Sequence, residues 1–97
     1  MKIDKIKVSN YGHYSSDNYG AHTLCFTNPL GTFWFSYDTL VAFVINGEFH
    51  ICKNTWGTTT GKHINWIDRD KRIREDRAEF EANYIRCTKA AMAKGEV

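Results

Sequence analysis

"LVAFVINGEFHICK", Leu40 to Lys53, decides how this chain folds. Two apolar runs meet at Asn46-Gly47, the dipeptide best suited to the positive φ angles of a two-residue β-hairpin. Leu40 to Ile45 is therefore expected as a strand. Glu48 to Lys53 is its antiparallel return, with Phe49 and Ile51 on one face and His50 on the other.

Working outward toward the N-terminus, Thr32 to Tyr37 reads as a β-branched and aromatic strand, interrupted by Asp38. "TNPLGT", Thr27 to Thr32, is a turn: Pro29 presets its own φ and Gly31 can take φ > 0. Ala21 to Thr27 is a further strand, with Leu24 and Phe26 on one face, and Ile6 and Val8 alternate with lysines in a short first strand. Between these lies Ser9 to Gly20, loop-like and full of Tyr, Asn, Ser and Gly.

Toward the C-terminus, "NTWGTTTGKHINWID" carries turn formers throughout and reads as a structured loop. Beyond it, Glu75 to Lys94 contains neither Gly nor Pro. Phe80, Tyr84, Cys87 and Ala91 recur there at helical spacing, with Ile73, Ile85 and Met92 extending or widening the stripe. Asp76, three residues before Glu79, is a capping signal. The expected fold class is α+β: a four- to five-stranded antiparallel sheet, a meander with the Asn-Gly hairpin, plus one C-terminal amphipathic helix. The 97 residues make a single domain, with sheet over about 5–53, structured loop over 54–68 and helix over about 74–93.

Composition narrows the function. The 14% of aromatic residues lets a small core bury a large area per residue, and several rings sit in loop context where they suit a contact surface. The net charge of +2 is unevenly spread: residues 69–97 hold eight of the 13 Lys and Arg. The two loop segments are nearly uncharged, which disfavours a phosphate-tracking groove there and an acidic mimic of DNA. Cys25, Cys52 and Cys87 show no close spacing and read as reduced, buried small hydrophobes of an intracellular protein. The N-terminus has charges but no apolar signal-peptide core, and the longest apolar run, Leu40 to Ile45, is too short to span a bilayer.

"GTTTGKH" is not a Walker loop: three residues separate Gly57 and Gly61 where four are needed, and His63 follows Lys62 where Ser or Thr belongs. No pair among His13, His22, His50 and His63 has metal-ligand spacing, so no metal site and no cofactor are expected. Metal-independent acid–base chemistry is the livelier enzyme reading: His22 and His63 shuttling protons, with Lys62 and the tyrosines beside them. The plainer alternative has these histidines hydrogen-bond the two loops to each other. Cys25 and Cys52, read as sheet interior, are discounted as nucleophiles. Tyr11, Tyr14, Tyr19, Trp56 and Trp66 in Gly-, Asn- and Ser-rich context have the composition of a protein contact surface, and the same rings suit base stacking. Trp66, flanked by Ile64 and Ile67, is expected to be buried.

Three segments, "VSNYGHYSSDNYGAHTL", "FWFSYDTLVAF" and "NTWGTTTGKHINWID", resemble a family of small uncharacterised proteins of tailed phages, prophages and related mobile elements. The resemblance covers about residues 6–68 and brings no catalytic or binding residues with it. It implies a setting in which small accessory proteins often inhibit host defence, anti-CRISPR proteins among them, or redirect the host.

The expectation is therefore a non-catalytic binding protein in the host cytoplasm that blocks a host protein complex, plausibly a CRISPR effector, by direct contact. Tyr11, Tyr14, Tyr19 and Trp56 are the expected anchors, with Lys62, His63, Arg72 and Arg74 as polar partners. A single-stranded nucleic-acid-binding protein and a small metal-independent nuclease built on His22 and His63 are the alternatives.

Overall fold

A computed structural model describes residues 7–12 and 22–93. Tyr14, Tyr19 and His13 lie outside the described residues. Among those described, six strands form one sheet in sequential order: β1 (Lys7–Asn10), β2 (Thr23–Asn28), β3 (Gly31–Ser36), β4 (Thr39–Ile45), β5 (Glu48–Cys52) and β6 (Arg74–Glu75). The first five pair antiparallel, as the meander requires. The Asn-Gly turn behaves as its sequence dictates, with φ of 55° at Asn46 and 77° at Gly47. Gly31 serves differently from expectation. It is not in the left-handed region; a Cβ there would lie 1.9 Å from the Val44 carbonyl oxygen, so the residue is needed for close strand approach.

The sixth strand departs from the expected all-antiparallel sheet. β6 runs parallel to β5, pairing Ile51 with Arg74 and Cys52 with Glu75. Parallel neighbours cannot be joined by a tight turn; they need a crossover, usually a helix. That crossover is α1 (Thr58–Ile67), a helix where a loop was expected. It lies in the β5–β6 connection, followed by a 3₁₀ turn at Lys71–Ile73. Its buried residues are Thr60, His63 and Ile64, joined by half-buried Ile67. This is an i, i+3, i+4, i+7 stripe in which a threonine and a histidine occupy two of the four inward positions.

The C-terminal helix, α2 (Arg77–Ala93), begins later than residue 74 because 74–75 are used by β6. Asp76 starts it: its carboxylate accepts from Glu79 N–H at 2.9 Å. Phe80, Cys87 and Ala91 are its buried residues, while Ile85 and Met92 are 53% and 58% exposed, so the stripe is narrower than the sequence suggested.

The sheet is covered on both faces. α2 covers Phe33, Phe43, Ile45 and Cys52, with Phe43 ringed by Phe80 and Tyr84 at 5.3 Å each. α1 covers Val41, Ala42 and Ile51. Val41 and Ala42 share that face although adjacent, because the β3–β4 register shifts at Trp34/Phe35 and Val41 is the extra residue of a bulge. Cys52 and Cys87 are buried as expected; Cys25 is only half-buried, and all three are free thiols. No helix of the described residues is long and apolar enough to cross a membrane.

Candidate functional site

The crossover builds a basic recess at the β6 edge of the sheet. Lys53 and Asn54 leave β5, Gly61 and Asn65 come from α1, and Lys71 and Arg74 come from the return to β6. Together they line a space of about 370 Å³ with three cations and no acid. Asn54 shapes one wall. Its amide oxygen accepts from Trp56 N–H at 3.0 Å and Gly57 N–H at 3.3 Å, and its Nδ2 donates to the Gly57 carbonyl at 2.9 Å. An asparagine two and three residues upstream thus satisfies amides ahead of a helix whose own N-cap is a glycine.

Arg74 forms the opposite wall. Its Nη2 donates to Asn65 Oδ1 at 2.7 Å and to the Asp68 carbonyl at 3.1 Å, while its Nε is buried with no hydrogen-bond partner. A buried guanidinium N–H without an acceptor is costly, while the Arg74 side chain as a whole still lines the recess and offers its charge to an anion there. Arg72 is less available. Although exposed, it is clamped by Asp70, with Nε 3.0 Å from Oδ1 and Nη2 3.1 Å from Oδ2, and this pairing lowers the Asp70 carboxyl pKa. Lys62 is exposed on α1 next to Gly61. Trp56, 43% exposed, carries the Arg77 guanidinium over its ring at 5.5 Å.

The structure therefore gathers Arg74 into the recess, with Lys62 and Trp56 next to residues that line or shape it, and brings in Lys53, Lys71, Asn54 and Asn65, none of which was among the expected contact residues. It places Tyr11 and His63 elsewhere. Tyr11 is half-buried in the sheet edge, its hydroxyl donating to the Phe35 carbonyl at 2.7 Å and its N–H to the Thr23 carbonyl at 3.1 Å. His63, expected on the contact face, is fully buried under α1.

Its surroundings explain why. His63 Nδ1 lies 2.6 Å from Ser36 Oγ, and Ser36 donates to Thr60 Oγ1 at 3.1 Å. Ser36 has one proton, and it goes to Thr60, so Nδ1 carries the hydrogen between histidine and serine. A nucleophilic serine needs the reverse polarity, its own proton directed at an accepting imidazole. Burial, then the nearby His22 charge, lowers the His63 pKa, which favours the neutral ring. Tyr37 lies between the two histidines, with ring centroids 4.6 Å from His22 and 5.7 Å from His63, and Trp66 stacks on His63 at 5.4 Å. Trp66 itself is only half-buried, against expectation. Tyr37 adopts φ 58°, uncommon for a bulky side chain.

On the α2 face, a second polar cluster escaped the sequence altogether. His50 is held between two carboxylates, with Nδ1 2.6 Å from Glu75 Oε2 and Nε2 2.9 Å from Glu48 Oε2. Burial opposes its positive charge, but the hydrogen bonds of Glu48 and Glu75 prevail and its pKa is raised. Glu48 Oε2 also accepts from Arg86 Nη2 at 2.6 Å and from Cys87 Sγ at 2.8 Å. The Arg86 bond above all holds the Glu48 carboxyl down at about 2, and burial with the Glu48 bond pushes the Cys87 thiol up to about 11. Residues 48, 50, 75 and 87 share no motif spacing; only the β5–β6 pairing and the packing of α2 bring them together.

Residues 1–82 match a family of unknown function, DUF8033. The chain belongs to that family. The matched span takes in all six strands, α1 and the first part of α2, so every recess residue lies within it. No curated protein and no solved structure matches the chain.

Proposed function

We propose that this DUF8033 protein is a non-catalytic binding protein whose basic recess takes carboxylate side chains from an acidic surface of a partner protein. The observation that carries the reading is the convergence of Lys53, Lys71 and Arg74 on one recess, with the buried Arg74 Nε lacking an acceptor. Asn54 and Asn65 add neutral hydrogen-bonding groups, and exposed Trp56, two residues beyond Asn54 in the chain, supplies an aromatic anchor. The resemblance to phage and mobile-element proteins supports a host complex as the partner, an anti-defence role and a CRISPR effector among the candidates. The buried Ser36–His63 contact under α1 supports a structural rather than a catalytic use of that histidine.

A single-stranded nucleic acid is the second reading. It is favoured by the same three cations together with the exposed indole of Trp56, two residues beyond recess-lining Asn54 in the chain, since phosphates and bases use that combination. A pull-down from nuclease-treated host lysate separates the two, repeated with Lys53→Glu/Lys71→Glu. A stoichiometric protein retained by the parent chain and lost from the double variant supports the first reading. Capture that nuclease abolishes, with affinity falling steeply with salt, supports the second. A partner held equally by the charge-reversed chain refutes the recess as the contact site.

A further inference from the structure

We propose that Glu48, His50 and Cys87 form a binding site for a zinc-like divalent cation, with Glu75 bracing the histidine from behind. A carboxylate oxygen, an imidazole nitrogen and a thiol sulfur from these residues all lie within 4.8 Å of one another. Two come from one face of β5 at i, i+2, and the third comes from α2 across the interface. Mixed O, N and S donors of this kind suit Zn2+, which is borderline-soft and indifferent to d-electron geometry.

The arrangement behind the donors points to a metal more sharply than the donors themselves. A metal-binding histidine characteristically gives one ring nitrogen to the ion and the other N–H to a carboxylate. His50 is already so disposed: Nδ1 faces Glu75 Oε2 at 2.6 Å, while Nε2 faces the Glu48 and Cys87 side. Glu75 is fixed in turn, its Oε1 accepting from Asn83 Nδ2 at 3.1 Å. The His50 ring is stacked on Phe43 at 5.1 Å, which fixes its plane against the core.

Donor spacing is compatible with an ion after a small adjustment. Nε2 and Sγ stand 2.9 and 2.8 Å from Glu48 Oε2. Zinc bonds of roughly 2.0–2.3 Å in a tetrahedron put donor pairs about 3.3–3.6 Å apart, so the two pairs that share Glu48 Oε2 open by less than about 1 Å, while Nε2 and Sγ already lie within 4.8 Å of each other. The protons on Nε2 and Sγ leave to solvent, and exposed Arg86 swings off Glu48. A cleft of about 210 Å³, lined by Ile45, Asn46, Glu48, Arg86, Cys87 and Ala90, gives a fourth ligand such as water a route to the ion. The site lies on the α2 face, and none of its residues lines the basic recess, so it stands or falls independently of the proposed partner surface.

The test is a titration of the chelator-treated full chain with Co2+ as a spectroscopic probe, followed by displacement with Zn2+. One Co2+ per chain is expected, with a sulfur-to-cobalt charge-transfer band that Zn2+ removes. Cys87→Ser abolishes the band and weakens Zn2+ at least tenfold. Glu75→Gln weakens it roughly 10- to 100-fold yet keeps the band at saturation. Circular dichroism checks that each variant is folded. If Cys87→Ser does not fold, Glu48→Gln at the solvent-facing donor takes its place, with the same tenfold loss expected. No stoichiometric metal, a band that survives Cys87→Ser, or unchanged affinity in Glu48→Gln overturns the proposal.

Discussion

Replacing Ser36 by alanine tests whether the Ser36–His63 contact is a strut or a piece of chemistry. Ser36 is 2% exposed and links two elements: β3, on which it sits, and α1, which supplies Thr60 and His63. Its hydroxyl serves Thr60 Oγ1 at 3.1 Å and His63 Nδ1 at 2.6 Å, so one truncation removes a partner from each of two buried groups. Each such loss costs about 1–3 kcal/mol, and relaxation of the helix recovers part, giving roughly 2–4 kcal/mol in all. For a chain whose total stability is on the order of 5–15 kcal/mol, that is a large fraction. The melting temperature should fall by about 10–30 °C. Urea unfolding followed by circular dichroism reads the loss as a lower midpoint at an unchanged slope. The double variant Ser36→Ala/His63→Phe should cost less than the sum of its parts, because the Ser36–His63 bond is lost once rather than twice, although Thr60 still loses its donor. A Ser36→Ala chain within about 0.5 kcal/mol of the parent would refute the strut, and the polarity assigned to the contact with it.

Three further outcomes follow from the packing and the buried histidine. Gly31→Ala drives a Cβ to 1.9 Å from the Val44 carbonyl, so the β3–β4 ladder must shift; amide exchange on β4 should accelerate, and unchanged protection would contradict the close approach. Phe80→Ala removes a ring that is 1% exposed and packed on Phe43, with an expected loss of about 3–5 kcal/mol by chemical denaturation. For His63, whose folded pKa is lowered, the unfolded chain takes up the proton first; its contribution to stability is complete above the unfolded value of about 6.5 and is lost as pH falls below it. A His63→Gln chain should lose that share of the acid-side decline, measured as the difference between the two stability–pH curves.

Much of the sheet was legible because its signals are local. Asn46-Gly47, the Asn28–Gly31 turn and the alternation in β3 to β5 each act over a few residues, and five strands emerged close to their expected places. The crossover was not legible. α1 opens with three β-branched threonines and includes Gly61 and Asn65, all poor helix formers, and its inward stripe carries Thr60 and His63 where a pattern search looks for leucines. Tertiary contact with Val41 and Ala42 supplies what propensity withholds. β6 spans only two residues and has no periodicity to read. The site residues divide the same way. Trp56, Lys62 and Arg74 stood out as types, but Lys53 gains meaning only from where the crossover begins. Glu48, His50, Glu75 and Cys87 are brought together by pairing across β5–β6 and by helix packing, neither of which leaves a spacing in the chain.

The β5–α1–β6 crossover also orders the assembly of the molecule. Strands β2 to β5 are joined by two-residue turns and close through short loops, which form early. The recess draws two residues from the start of the crossover, two from its helix and two from its end, so it exists only once that long connection has shut. Its closure is registered by a single backbone bond beyond the paired strands, Lys53 N–H to the Glu75 carbonyl at 2.7 Å. The recess is thus expected to assemble last and to open first. Any partner seated there stabilises the crossover through linkage, and slowed exchange at the Lys53 amide would report its arrival.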